Sequence, residues 1–152
     1  MDFDGTDDYV AIARNLFSGL AVLTVSFWGQ PRTTTDRVDF TQGTDNANRC
    51  GCGLAEDGNA YGFSQFNGFI AGFGYAPWSQ LGVSQPIHIV AIYNSRGSDN
   101  AARSKVYLNG RQQTLTFVGS VSTSPISQGG TPFIGARPGP STFSNGRIGE
   151  FA

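Results

Sequence analysis

Short runs of β-branched and aromatic residues, each cut off by glycine, proline or asparagine, leave this chain little room for anything but a β fold. Apolar residues almost nowhere recur at the three-and-four spacing of a helix between a cap and a C-terminal glycine. The one ambiguous stretch, residues 12–20, has room for a short turn of helix.

The strand-like segments follow in order. Leu20-Ala21-Val22-Leu23-Thr24-Val25-Ser26-Phe27-Trp28 ends at Gly29 and Pro31 and reads as a central strand buried in part on both faces. Arg37-Val38-Asp39-Phe40-Thr41 alternates with period two, and Gln42-Gly43-Thr44-Asp45-Asn46 then supplies turn chemistry. Strands are expected near 60–66 and 69–75, joined at Asn67-Gly68. Ile87-His88-Ile89-Val90-Ala91-Ile92-Tyr93 is the clearest core strand. After a polar loop at 94–102, residues 104–108 and 111–117 form a hairpin around Asn109-Gly110. Short strands at 132–136 and 146–151 flank the loop Arg137-Pro138-Gly139-Pro140-Ser141. The whole is an all-β pattern, expected to form an antiparallel β-sandwich or jelly roll as one domain over residues 1–152.

Composition narrows the function classes. Charged residues are only 14% of the 152, against about 25% in an average soluble domain, and the 21 glycines suit tight turns between short strands. Formal net charge is −1, and the nine arginines and Lys105 form no basic run, so no nucleic-acid footprint is visible. No apolar stretch approaches the roughly 20 residues of a membrane-spanning helix, which argues against membrane insertion. The opening Met1-Asp2-Phe3-Asp4 lacks the basic and apolar regions of a signal peptide. Cys50 and Cys52 are separated by one glycine. So short a loop strains a disulfide and a structural zinc needs four ligands, so two free thiols in a loop or strand end are expected. His88, the single histidine, lies in a core-strand pattern and reads as structural.

Four segments carry a family resemblance. Phe3-Asp4-Gly5-Thr6-Asp7-Asp8-Tyr9-Val10 opens the chain and Val25-Ser26-Phe27-Trp28 follows. His88-Ile89-Val90-Ala91-Ile92-Tyr93 then leads to Lys105-Val106-Tyr107-Leu108-Asn109-Gly110, and Phe133-Ile134-Gly135-Ala136 to Phe143-Ser144-Asn145-Gly146-Arg147-Ile148-Gly149-Glu150-Phe151. In this order they resemble the concanavalin A-like lectin/glucanase superfamily, specifically its laminin-G-like members. The resemblance implies the sandwich fold, and a range of roles from sugar lectins and glycosidases to adhesion modules and virion surface domains. Three departures stand out. Ile87 replaces a tryptophan often found before the histidine, and Gly149-Glu150 replaces an acidic pair. The chain also stops at Ala152, before the family's final strand normally finishes. A short strand, a trimmed chain or completion of the sheet edge at Phe151 and Ala152 by a neighbouring chain each accounts for the last.

Catalysis is not expected. Glycoside hydrolysis needs two carboxyl groups about 5–9.5 Å apart, and the only glutamates, Glu56 and Glu150, are far apart in sequence, with no strand ladder among the nine aspartates. No G-x-S-x-G elbow is present. Asp4, Asp7 and Asp8 could supply oxygens to calcium, but the loop lacks a fuller acidic set, and Asx turns to local backbone amides are the favoured use. Sugar binding would call on aromatic rings and amides in or beside loops: Tyr75, Trp78, Asn67, Asn94 and Arg96. The leading expectation is a non-catalytic surface-recognition module binding glycans. Its rival is a structural or decoration subunit of a virion or other extracellular assembly, in which protein partners or further copies of the chain form an oligomer or lattice.

Overall fold

The computed structural model describes residues 1–33, 37–45, 47–54, 60–67, 70–77 and 85–150, with 37–38, 52–54, 60–67 and 70–77 as backbone. The strands are β1 (Asp2–Asp4), β2 (Val10–Ala11), β3 (Val22–Pro31), β4 (Arg37–Asp45), β5 (Asn48–Leu54), β6 (Ala60–Asn67) and β7 (Ile70–Pro77). They continue with β8 (Ile87–Asn94), β9 (Ser104–Leu108), β10 (Arg111–Gln112), β11 (Thr116–Val118), β12 (Thr131–Ile134) and β13 (Asn145–Gly149). One short helix, α1 (Asn100–Arg103), interrupts them. A six-stranded antiparallel sheet runs β1-β13-β3-β8-β9-β10 and a seven-stranded one β11-β7-β6-β5-β4-β12-β2. The fold is an all-β antiparallel sandwich, as the alternating sequence pattern implies.

Alternation of side chains builds the core. On β3, Leu23, Val25 and Phe27 point inward. On β8, Ile87, Ile89, Ala91 and Tyr93 do the same, and on β9 Val106 and Leu108. Phe40 and Cys50 meet them from the seven-stranded sheet, and Phe17, Val121 and Ile126 plug the space between from loops. Phe27 and Phe40 are fully buried, each burial stabilising by about 1.5–3 kcal/mol. The four edge strands, β1, β10, β11 and β2, are only two or three residues long, which leaves little open ladder for unwanted strand pairing. Among the described residues no helix is long and apolar enough to cross a membrane.

Several details differ from the sequence reading. Residues 12–20 form bends and turns without a helix. They are pinned instead by buried Gln42, whose Oε1 accepts the Leu16 and Phe17 amides at 2.8 and 3.0 Å. Its Nε2 donates to Asn15 Oδ1 and the Gln128 carbonyl at 2.7 and 2.8 Å. Gln42 is therefore a strand residue, since β4 runs on to Asp45, where the Asp45 carboxylate caps the amides of Ala47 and Asn48. Helix α1 falls inside the expected polar loop, because Asp99 accepts from the Ala102 amide as an N-cap.

The hairpin at 104–117 is only half right. Asn109 and Gly110, with φ of 49° and 77°, make the two-residue turn, and Arg111 pairs with Leu108. The chain then leaves the six-stranded sheet, and β11 joins β7 of the other. Cys50 and Cys52 sit within β5 rather than in a loop, and a side chain on Gly51 between them would collide with the Phe40 carbonyl on β4. Strand β13 lies between β1 and β3, so up to Ile148 it is no edge; Phe151 and Ala152 lie outside the described residues.

Because Gln42 satisfies four buried or half-buried polar groups at once, its replacement by leucine strands all of them. Gln42→Leu is expected to lower unfolding free energy by about 2–4 kcal/mol. Chemical denaturation followed by fluorescence checks this, and a loss under about 0.5 kcal/mol, the ordinary surface value, would show that the clamp is dispensable.

Candidate functional site

Of the loop residues singled out from sequence, the backbone places Asn67, Tyr75 and Asn94 apart from one another. Asn67, at the end of β6, pairs with Asn48 and Ile70, whereas Tyr75 pairs with Thr116. Five residues of extended strand separate Ile70 from Tyr75, on the order of 17 Å. The side chains of Asn67 and Tyr75, and the whole of Trp78, lie outside the described residues. Asn94 belongs to the other sheet, where its Oδ1 accepts the Arg96 amide at 3.0 Å and shapes the turn after β8; Arg96 itself is exposed.

The acidic loop is spent on its own backbone. Asp4 Oδ1 accepts the Thr6 amide at 2.7 Å and Asp8 Oδ2 accepts the Asp4 amide at 3.0 Å, while Asp7 is exposed. No group of three histidine, cysteine or acidic side chains able to hold a metal gathers among the described residues.

A groove on the outer face of the six-stranded sheet has the better site geometry. The alternation that buries Val25 and Phe27 turns Trp28 outward, 43% exposed, between Gly149 of β13 and His88 of β8. The Trp28 and His88 rings lie 5.2 Å apart at 36°, and His88 Nε2 is 3.0 Å from Ser26 Oγ. On its other side Gly149 presents no side chain, and no described residue lies within 4 Å of where a Cβ would be. Trp28 is thus backed by one neighbour and open toward the other.

One pleat repeat along, about 7 Å, Asp2, Arg147 and Gln30 stand in register across β1, β13 and β3. Together with Trp28, Pro86 and Gly149 they line a groove of about 370 Å3. Arg32 Nη2 lies 2.7 Å from Asp2 Oδ1, and Arg147 Nε lies 3.2 Å from Oδ2. The hydrogen bond from Arg32, opposed by desolvation and reinforced by Arg147, holds the Asp2 carboxyl below its ordinary range. Arg147 reaches Asp2 through Nε, and its side chain stays 64% exposed.

The sequence reading missed Trp28 as a site residue by taking the strand as partly buried on both faces. The signal was its phase: Trp28 shares parity with Thr24 and Ser26, the polar positions of β3. His88 likewise faces outward, half-buried, rather than into the core.

Cys50 is buried and free, and burial pushes its thiol up to about 12, against a smaller lowering by a hydrogen bond from the Gln42 backbone. A thiol raised this far stays protonated in the folded chain while the unfolded chain ionises, so Cys50 costs stability only as pH rises from about 9 toward 12. At neutral pH native Cys50 is expected to resist iodoacetamide and to react on denaturation. Peptide mass mapping distinguishes it from Cys52, and rapid native labelling of Cys50 would contradict its burial.

A family model described as the concanavalin A-like lectin/glucanases superfamily, of laminin-G type, matches residues 4–152. Among solved structures, a heptameric SAP-like pentraxin from Limulus polyphemus is similar, with 19% identity over 99% of this chain and 72% of its own, at a TM-score of 0.69. Domains LG4-5 of the mouse laminin alpha1 chain reach 0.71 at 12% identity. The match covers 99% of this chain but only 40% of that fragment. The carbohydrate binding module CBM66 from Bacillus subtilis gives 0.51 at 15% identity, with 97% and 83% covered. These likenesses concern the fold. No curated protein sequence matches the chain.

Proposed function

The chain belongs to the concanavalin A-like lectin/glucanases superfamily as a laminin-G-like member, and on that premise we propose that it is a non-catalytic, extracellular surface-recognition module that binds glycans. The reading takes residues 1–152 as one domain. The observation that carries it is Trp28, an indole held outward over a groove whose opposite end is a rank of hydrogen-bonding side chains. An aromatic face takes the apolar side of a sugar ring, and fixed polar groups take its hydroxyls. CBM66, similar in fold, is by its name a carbohydrate binding module.

The same groove is poorly suited to hydrolysis. Glycosidases need a second carboxyl group, and one of the pair must keep its proton near neutral pH. Among the described residues Asp2 is the one carboxylate lining the groove, and two guanidinium groups hold it ionised.

A second reading, a structural or decoration subunit that binds protein partners, is favoured by Leu20 and Val22, which are 39% and 50% exposed at one end of the six-stranded sheet. The two differ in solution. Light scattering over a concentration series is expected to give a monomer or small defined oligomer for the recognition module, and growing assemblies for the structural subunit.

Trp28→Ala tests the leading reading directly. The variant is expected to keep its thermal midpoint within a few degrees, since its indole lies on the outer face of the sheet and not in the core, while losing about tenfold or more in retention on a glycan array. Unchanged retention would remove the groove from glycan binding.

A further inference from the structure

Resting on the reading of the Trp28 groove as a saccharide site, we infer that its ligand is a neutral pyranose, held on the outer face of the six-stranded sheet without a bridging divalent cation. The argument starts from charge. Among the described residues of the groove one carboxylate, Asp2, faces one guanidinium, Arg147, and Arg32 grips the same carboxylate from outside the groove lining.

A uronate or sialate carboxyl drawn to Arg147 would arrive beside Asp2, whose charge is fixed, and would have to compete with it for the guanidinium. Like charges at contact distance repel, so the incoming carboxyl gains little from Arg147. An amino sugar's cation drawn to Asp2 would in turn arrive beside the guanidinium groups already bound to it. A neutral hydroxyl escapes both penalties because it donates and accepts at once. Adjacent hydroxyls of a pyranose match what the rank presents: a carboxylate that accepts, a guanidinium that donates, and the Gln30 amide that does either.

The spacing suits a ring lying flat. Trp28 and Gln30 are neighbours on one strand face, so a sugar stacked on the indole extends its edge over the polar rank about one pleat repeat away. His88 behind Trp28 fixes the platform, and Gly149 leaves its other flank open. A volume of about 370 Å3 lies at the small end of ligand sites, enough for one or two rings.

A cation bridge is disfavoured by the same residues. A hard divalent ion wants six to eight oxygens, several of them charged, whereas the groove offers one carboxylate already bound to two arginines.

The test is an NMR titration of the 15N-labelled full chain in EDTA with lactose, maltose and cellobiose as neutral probes. Glucuronic acid and N-acetylneuraminic acid serve as anionic ones. At least one neutral disaccharide is expected to shift the Trp28 indole N–H and the Gln30 and Gly149 amides, with the same affinity when calcium replaces EDTA. Trp28→Ala and Arg147→Met are each expected to weaken it about tenfold, the scale of one stacked ring or one charged hydrogen bond. Two variants are used so that a folding defect in one, visible in its spectrum, leaves the other decisive. Binding of the acids alone through these residues overturns the neutral assignment while the glycan reading stands. Binding lost in EDTA overturns the metal-free mode. Shifts confined to other residues, or no shift with any saccharide, overturn the site and the glycan reading together.

Discussion

The pairing of β3 with β8, from Val22 opposite Asn94 to Gly29 opposite Ile87, sets the rest of this molecule. Its parity places Leu23, Val25 and Phe27 against Ile89, Ala91 and Tyr93 in the interior. The same parity sends Ser26, Trp28 and His88 outward. A slip of one residue on β3 would bury Trp28 and Ser26 and expose Phe27, so core and groove are two consequences of a single register. Burial of the inward set holds that register, and the groove inherits its geometry from the core.

Polar contacts then decide how loops close over the ends of the sandwich. Gln42 fastens the segment after β2 to the seven-stranded sheet. At the other side of the core, the Tyr93 hydroxyl donates to the carbonyls of Ser122 and Ser124. Arg103 donates from its guanidinium to the carbonyls of Gly97, Ser98 and Val121, and Asn100 bonds Gly119 and Val121. These few side chains supply partners to backbone groups of long irregular segments that hydrophobic burial alone would leave free to shift.

Legibility followed the range of the interactions. The strands β3, β8 and β9, the hairpin of β6 with β7 and the turn at Asn109-Gly110 could be read because alternation and turn chemistry are local properties. The extension of β4 to Asp45 could not, since Gln42-Gly43-Thr44 has turn composition and is made strand by β5 and β12 on either side. The crossing from β10 to β11 was hidden for the same reason. No property of Gln113 or Thr114 states which sheet the next strand joins. Asn94 was legible as polar and near a loop, but its side chain serves the turn.

By itself, the sequence determined the sandwich class and most of the strands along the chain, because burying one face of a strand requires period two and that period is written in the residues; its motifs carried the family resemblance. It also held the phase that exposes Trp28. Only the tertiary structure decided that Asp2, Arg147 and Gln30, from opposite ends of the chain, stand in one row beside that tryptophan. Adjacency across three strands comes from hydrogen-bonded register between distant segments, and that register is set by the packing of the whole core.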